Sequence, residues 1–392
     1  MAEGQTLRRD LSLAQAVAVG VGAMVGGGIP LTFSQSLDAS QRGIWPALGL
    51  AALVALMNGL SSGQCAVRYP TSGGTFEYAS ELIHPAAGWI AGWAFVISKV
   101  AAAASIALLL GLQPFFATTP MPPLVWSLGF LILLIAANLV GIKKIGALNL
   151  AIVAITVGGW LVWCTLLFLA GPIREEAAAP SVEPRWVLSA AGLMFFAFTG
   201  YARIATLAEE VRDPTRTIPR AIILSIGVVT GLYVLILSAL IHRTGFLAGS
   251  EGEPVNRFWQ AMSNVGGAEN LLTLVLATSM IGVLLSQVLS VSRVLLAMAR
   301  RGGLPSGFTR VGATGVPTPM ILVTGGLMIA LTLVGGFELT LPLAVASILV
   351  YYGLTHLAVL RIRGDDPPYS KFVAVVGLIG CVVLGLAVIF IR

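Results

Sequence analysis

Two apolar stretches carry residues that a membrane helix does not need and a binding site does. The first reads Val19-Gly20-Val21-Gly22-Ala23-Met24-Val25-Gly26-Gly27-Gly28-Ile29-Pro30, the second Phe195-Phe196-Ala197-Phe198-Thr199-Gly200-Tyr201-Ala202. Three glycines followed by proline oppose a continuous helix, because glycine loses the most backbone entropy and proline lacks an N–H. In a lipid interior, unwound backbone persists only where protein or a water-filled cavity covers it. N–H groups freed at Gly26, Gly27 and Gly28, with the dipole of the half-helix that follows, suit a carboxylate. Carbonyls freed at Phe196, Ala197 and Thr199, beside Gly200, can accept from an ammonium group. Donors on one side and acceptors on the other suit a zwitterionic α-amino acid. For either stretch alone, a glycine-rich packing contact is the simpler account. Two breaks at matching places in the two halves favour a solute site at mid-membrane.

Two cations lie inside apolar runs, where an ionisable side chain is costly. Lys99 sits in Val96-Ile97-Ser98-Lys99-Val100-Ala101, and Arg203 lies one turn past the second break. Burial favours the neutral form of a lysine, so Lys99 can exchange a proton with its surroundings as the coupling residue, or touch the solute. The simpler account is a structural lysine that pairs or snorkels. Arg203 can attract a carboxylate, or pair with an acid as part of a cytoplasmic gate. Two positive charges near one site argue against arginine, lysine or polyamines as the solute. The small apolar residues Ala101, Ala102, Ala103 and Ala197 favour neutral side chains.

The elements that must hold these residues are membrane helices. The chain of 392 residues is 57% hydrophobic and only 10% charged, against about 25% charged in a soluble domain. Apolar runs of spanning length cover 12–36, 44–67, 86–111, 123–141, 147–171, 187–211, 218–242, 268–298, 317–336, 340–360 and 371–391. Alternate loops differ in charge. One side gathers Arg8, Arg9, Arg68, Lys143, Lys144, Arg212, Arg216, Arg220, Arg300, Arg301, Arg310, Arg361, Arg363 and Lys371, and the other holds only Arg42, Arg174, Arg185, Arg243, Arg257 and Arg392. The excess places the N-terminus in the cytoplasm, and the odd number of spans places the C-terminus outside. The net charge of +6 therefore reports orientation in the cell membrane, not nucleic-acid binding. The first apolar run is too long for a signal peptide and is read as a retained helix. Residues 71–84 and 253–265 look like short helices on the inner and outer sides.

The polar segment 172–186 divides the chain. A cytoplasmic segment (1–11) leads into a five-helix block (12–171). The connector, expected to be extracellular, leads to a second block (187–360), and a cytoplasmic loop and one extra helix follow (361–392). Five is odd, so the second block enters the membrane inverted, as in many secondary transporters.

Four stretches resemble the amino acid–polyamine–organocation (APC) superfamily of amino acid permeases: Gly22-Ala23-Met24-Val25-Gly26-Gly27-Gly28-Ile29, Arg68-Tyr69-Pro70-Thr71-Ser72-Gly73-Gly74-Thr75-Phe76, Leu207-Ala208-Glu209-Glu210-Val211-Arg212-Asp213-Pro214-Thr215-Arg216-Thr217-Ile218-Pro219-Arg220, and Ser292-Arg293-Val294-Leu295-Leu296-Ala297-Met298-Ala299-Arg300-Arg301-Gly302-Gly303-Leu304-Pro305. The resemblance implies an all-α polytopic membrane protein of LeuT type. Its two five-helix repeats are inverted and its first and sixth helices are discontinuous; the apolar runs give about eleven transmembrane helices. It implies that these two helices hold the carboxylate and amine at the positions above, that the third helix lines the cavity, and that Phe196 matches an aromatic gate. Its aromatic neighbours Phe198 and Tyr201 are expected to line the site and to join the gate, with ordinary helix packing as the alternative. Two departures stand out. The acidic residue common after Gly-aromatic is here Ala202, followed by Arg203. The fifth-helix lysine of some proton-coupled members aligns with Thr156. The chain is also one helix short of the usual twelve.

Glu209, Glu210, Arg68, Arg293 and Arg300 fall at one depth on the cytoplasmic side. Pairs among them can close the inward path, or can be solvated end charges. In this fold, carbonyls of Gly22 and Val25 with hydroxyls of Ser286 or Ser290 can hold a sodium ion, though a serine-rich helix is weak support. No other metal site is expected. Cys65, Cys164 and Cys381 lie apart in apolar segments and read as small buried hydrophobes.

The function expected is a secondary active transporter that imports or exchanges amino acids, coupled to protons or sodium or working as an exchanger, as a monomer or homodimer. A sensor or structural membrane protein of the same fold is the alternative. A membrane-embedded enzyme is disfavoured, because His84, His242 and His356 are isolated and no carboxylate pair lies within the spans. No Gly-x-x-x-x-Gly-Lys-Ser/Thr motif occurs, which argues against ATP-driven pumping by this chain. No cofactor is expected.

Overall fold

The computed structural model describes residues 9–26, 28–33, 36, 43–113, 116, 119–140, 142–172, 183–244, 269–312, 315–362 and 370–390. Gly27, most of the 172–186 connector and the 253–265 segment lie outside the described residues. The described residues are helical, without strands. In chain order the helices are α1 (Leu13–Met24), α2 (Ile44–Arg68), α3 (Thr75–Leu82), α4 (Pro85–Gly111), α5 (Pro123–Asn138), α6 (Ile142–Ala170), α7 (Pro184–Phe198), α8 (Ala202–Thr206), α9 (Pro214–Thr244), α10 (Glu269–Arg300), α11 (Thr318–Val334), α12 (Phe337–Leu360) and α13 (Lys371–Phe390). A π-helical turn, Ile29–Phe33, follows α1. Eight of these segments, α7 and α8 counting together as one, are long and apolar enough to cross a membrane, and α1, α5 and α11 are shorter apolar helices.

Local sequence sets the helix starts. Ser12 caps α1 through a capping box with Gln15, which satisfies end N–H groups that would otherwise lack partners. Pro85, Pro123 and Pro184 stand at first-turn positions, where a missing N–H costs nothing. The amphipathic segment expected near 71–84 is α3, which packs along α4.

The bundle has a dense interior and an apolar exterior. α4 is the central strut: 89% of its most apolar window is buried, against 28% for α6 and for α13. α4 packs on α12, α10, α3 and α11. Outward-facing side chains such as Leu133, Leu169 and Phe372 are largely exposed, while Asn58, Gln64, Ser98, Lys99 and Gln287 are buried. An apolar perimeter around a partly polar centre is the arrangement a bilayer selects. Cys65, Cys164 and Cys381 are buried free thiols.

The first apolar run is one interrupted helix. α1 ends at Met24, where the Val25 N–H still bonds the Val21 carbonyl at 2.8 Å, and helical backbone resumes only near Ile29. The sixth run is interrupted at Thr199–Tyr201, between α7 and the five-residue α8. α1 packs on α6, α8, α9 and α10, and α7 on α2 and α13. This brings the two interruptions together at the centre of the bundle.

Candidate functional site

The two breaks touch backbone to backbone, and a glycine in each makes this possible. A Cβ on Gly28 would stand 3.1 Å from the Cα and Cβ of Ala197. A Cβ on Gly200 would stand 2.5 Å from the carbonyl carbon of Ala23 and 2.6 Å from Met24. Each break therefore seats its glycine on the other. Tyr233, from α9, straddles the crossing: its hydroxyl lies 2.8 Å from the Met24 carbonyl and 3.1 Å from that of Ala197. Phe33 and Phe198 pack edge-on against its ring, each at 5.0 Å between centroids. Phe198 is fully buried in this packing.

Two carbonyls of the second break, those of Phe196 and Thr199, already have two donors each, and the third shares one hydroxyl with Met24. The carbonyl of Phe196 accepts from the Thr199 N–H at 3.1 Å and the Thr199 hydroxyl at 2.8 Å. That of Ala197 faces Tyr233. That of Thr199 accepts from Lys99 Nζ at 3.1 Å and from the Tyr352 hydroxyl at 3.1 Å, and Lys99 Nζ also lies 3.3 Å from Thr199 Oγ1. Lys99 and Thr199 are both buried. The side chain of α4 thus sits where a solute's ammonium group was expected. Lys99 also lies 5.8 Å from the ring centroid of Phe95, a distance at which an aromatic face still attracts a cation.

Arg203, 2% exposed, completes the site from α8. Its Nη1 donates to Ser286 Oγ on α10 at 2.5 Å, and Ser286 in turn bonds the carbonyls of Gly282 and Val283. One of the two hydroxyls expected near a sodium ion therefore receives the guanidinium instead. Between the breaks lies a cavity of about 20 Å³, lined by Gly28, Lys99, Phe196, Thr199, Arg203 and Gln287 among others. That is room for about one water molecule. The site is closed in this conformation.

A family model described as amino acid permease matches residues 11–391. The chain belongs to the amino acid permease family. Among its relatives, a transporter of Mycobacterium tuberculosis (strain H37Rv) is 38% identical over 97% of this chain and 86% of its own length. A vacuolar cationic amino acid transporter of Arabidopsis thaliana is 27% identical over 93% of this chain and 61% of its own length. An amino acid permease of Bacillus subtilis is 22% identical, covering 83% and 73%. A Na+-coupled sialic acid symporter, solved substrate-bound in an outward-open state, superposes with a TM-score of 0.65 at 14% identity, over 96% of this chain and 90% of its own. The likeness is one of fold: the permease is an all-α, multi-pass membrane protein of LeuT type.

On the cytoplasmic side expected from the loop charges, the acidic pair after α8 meets α10. Glu210 and Arg293 form a fully buried two-point pair, with Arg293 Nη2 at 2.7 Å from Oε1 and Nε at 3.2 Å from Oε2. Glu209 binds Arg300 at 2.9 Å and accepts from the Ser72 N–H at 2.9 Å, which ties the loop before α3 to the same cluster. The N-terminal segment joins in: Leu11 N–H bonds the Glu210 carbonyl and Arg212 N–H bonds the Leu11 carbonyl, each at 2.9 Å. Arg301 bridges Glu77, at 2.5 Å, and Glu81, both on α3. Burial pushes the Glu77 carboxyl above its ordinary range, and Arg301 pulls it part of the way back. Arg68 is exposed at the end of α2.

The remaining expected residues separate. Phe196, 7% exposed, faces the cavity, while Tyr201 is fully buried and stacks on Tyr352 at 5.4 Å. Thr156 bonds Thr278 between α6 and α10 at 3.2 Å and is not among the residues lining the cavity. Gly22 abuts Val153 and Asn149, and its carbonyl lies 3.7 Å from where a Cβ on Gly282 would stand. Ser290 Oγ bonds the carbonyls of Ser286 and Gln287, and Val25 closes α1. Sequence reasoning missed Tyr233, Tyr352 and Gln287. Each is a polar residue within an apolar run, the one signal that could have flagged them.

Proposed function

We propose that this permease is a secondary active transporter that moves amino acids across the cytoplasmic membrane by alternating access, N-terminus inside. It rocks the helices carrying the two breaks against the rest around a fixed site. The observation that carries this reading is the contact of Lys99 Nζ with Thr199 at the second break, inside a closed cavity where the two breaks cross. A proton held or released at Lys99 changes how strongly that side chain grips Thr199, which links protonation to the state of the site. The Arg203 guanidinium beside Ser286 favours proton coupling or exchange over sodium coupling, because it already places a positive charge at that hydroxyl. The same two cations disfavour cationic substrates. Ala102, Ala197 and Ile106 on the cavity wall suit a short neutral side chain. The Glu210–Arg293 and Glu209–Arg300 pairs serve as the inner gate.

Counterflow of labelled neutral amino acids into proteoliposomes, with and without sodium and at two pH values, tests the reading. Uptake by the wild type that loses its pH dependence in Lys99→Ala is the expected result. PH dependence unchanged in that variant would return Lys99 to a structural role. Binding without counterflow would indicate a sensor.

A further inference from the structure

We infer that the solute lies in this cavity with its carboxylate on Arg203 and its amine on Gln287, the reverse of the polarity that the freed backbone groups suggest. The inference rests on the amino acid reading above. It starts from two buried groups without partners among the described residues: the Nε–H of Arg203 and the Oε1 of Gln287. Both side chains are 2% exposed or less, and both line the one cavity between the breaks. A buried donor or acceptor left unpaired is costly, and more so when the group is charged. Here the two are complementary: one cationic donor and one neutral acceptor. The closed cavity has room for about one water. A solute that displaces it must bring an acceptor, anionic by preference, for Arg203 and a donor for Gln287. An α-amino acid carries the two on one carbon.

The conventional orientation meets an obstacle. The ammonium group would need the carbonyls of Phe196, Ala197 or Thr199, and each already faces a donor of the protein's own, from Thr199, Tyr233, or Lys99 with Tyr352. At the amine end Gln287 Oε1 is the acceptor that stands unpaired, and Lys99 adds a second positive group beside the carboxylate. The reversed polarity pairs both orphaned groups, in a cavity that holds about one water when closed and must widen to admit the solute.

The test is equilibrium binding of tritiated L-alanine to the purified full-length protein, with competition by pyruvate, which lacks the amine, and ethylamine, which lacks the carboxylate. The wild type is expected to prefer alanine to both. Gln287→Met removes the acceptor at similar volume and should weaken alanine roughly tenfold or more while leaving pyruvate competition nearly unchanged. Gln287→Glu offers a charged acceptor and should widen the preference for alanine over pyruvate. It stands as the deciding variant should Gln287→Met fail to fold by its thermal melt. Arg203→Gln should erase the preference for alanine over ethylamine. If either Gln287 variant keeps the wild-type ratio of alanine to pyruvate, the amine lies elsewhere, the cavity holds only water, and the inference is overturned with the transporter reading intact. No binding of alanine, serine or leucine by the wild type, with no counterflow of any of them, would overturn that reading as well.

Discussion

Arg203 and Arg293 are two arginines of near-identical burial and opposite circumstance. Arg293, fully buried on α10, meets Glu210 through two hydrogen bonds and Ser292 through a third at 3.0 Å. Arg203, at the second break, has the Ser286 hydroxyl and an unpaired Nε–H. A buried charge needs an opposite charge or a full set of hydrogen bonds. Arg293 has its complement within the chain, so its role is to hold helices together. Arg203 has an incomplete one, and the missing part is an acceptor for its Nε–H. On the proposed reading, the contrast separates a gate, closed by the protein's own groups, from a site whose chemistry is finished by something that arrives.

Removing one partner of the gate pair should do the most damage. Glu210→Ala strands Arg293 in the interior, a change that costs about 3–5 kcal/mol for a buried pair. The expected outcome is a sharp fall in melting temperature in detergent, or failure to purify a folded protein. The double variant Glu210→Ala with Arg293→Met removes the charge as well as the partner and should recover much of the loss. If Glu210→Ala alone melts like the wild type, the pair is not the structural lock its geometry suggests.

The crossing of the breaks comes next. Gly200→Ala drives a methyl group into the Ala23 carbonyl, and overpacking of this kind costs about 1–3 kcal/mol. The protein should still fold, with counterflow abolished, because the strain falls at the crossing on which the proposed site is built. Gly28→Val should behave alike. Normal uptake by either variant would separate the crossing from the transport path.

Arg203→Gln sharpens the comparison with the gate. The substitution removes a buried charge whose partner is a neutral hydroxyl, so the melting temperature should stay the same or rise while solute binding falls away. Loss of stability on the scale expected for Glu210→Ala would show that Arg203 is structural, and the two arginines would then be alike after all.

How far the sequence disclosed this arrangement follows from where the information resides. Both breaks were legible, because the Gly26-Gly27-Gly28 run and the Thr199-Gly200 step oppose helix locally, and local preference needs no knowledge of neighbours. Lys99 and Arg203 stood out because charge within an apolar run is costly wherever it points. The filling of the second break's carbonyls was not legible. That depends on Lys99, Tyr233 and Tyr352 arriving from helices 36 to 153 residues distant in the chain, and a pattern read along one helix carries no register between helices. Gln287 was hidden for the same reason: among the serines of α10 it reads as one more polar residue, until the fold turns it toward Arg203's cavity.

The smallest effect belongs to the outer pair of the gate. Glu209 and Arg300 keep about a quarter of their side-chain surface exposed, so water and salt screen them, and such pairs contribute about 0–1 kcal/mol. Glu209→Gln should leave the melting temperature within a degree or two of the wild type. Its effect should be kinetic. Glu209 also accepts from the Ser72 N–H, so weakening it loosens the loop before α3 as well as α10, and the inward path should open more often. Exchange rates in proteoliposomes should rise modestly, and by less at high salt, where the wild-type pair is already weakened. A rate that does not change at any ionic strength would confine the gate to Glu210 and Arg293, whose burial shields them from salt.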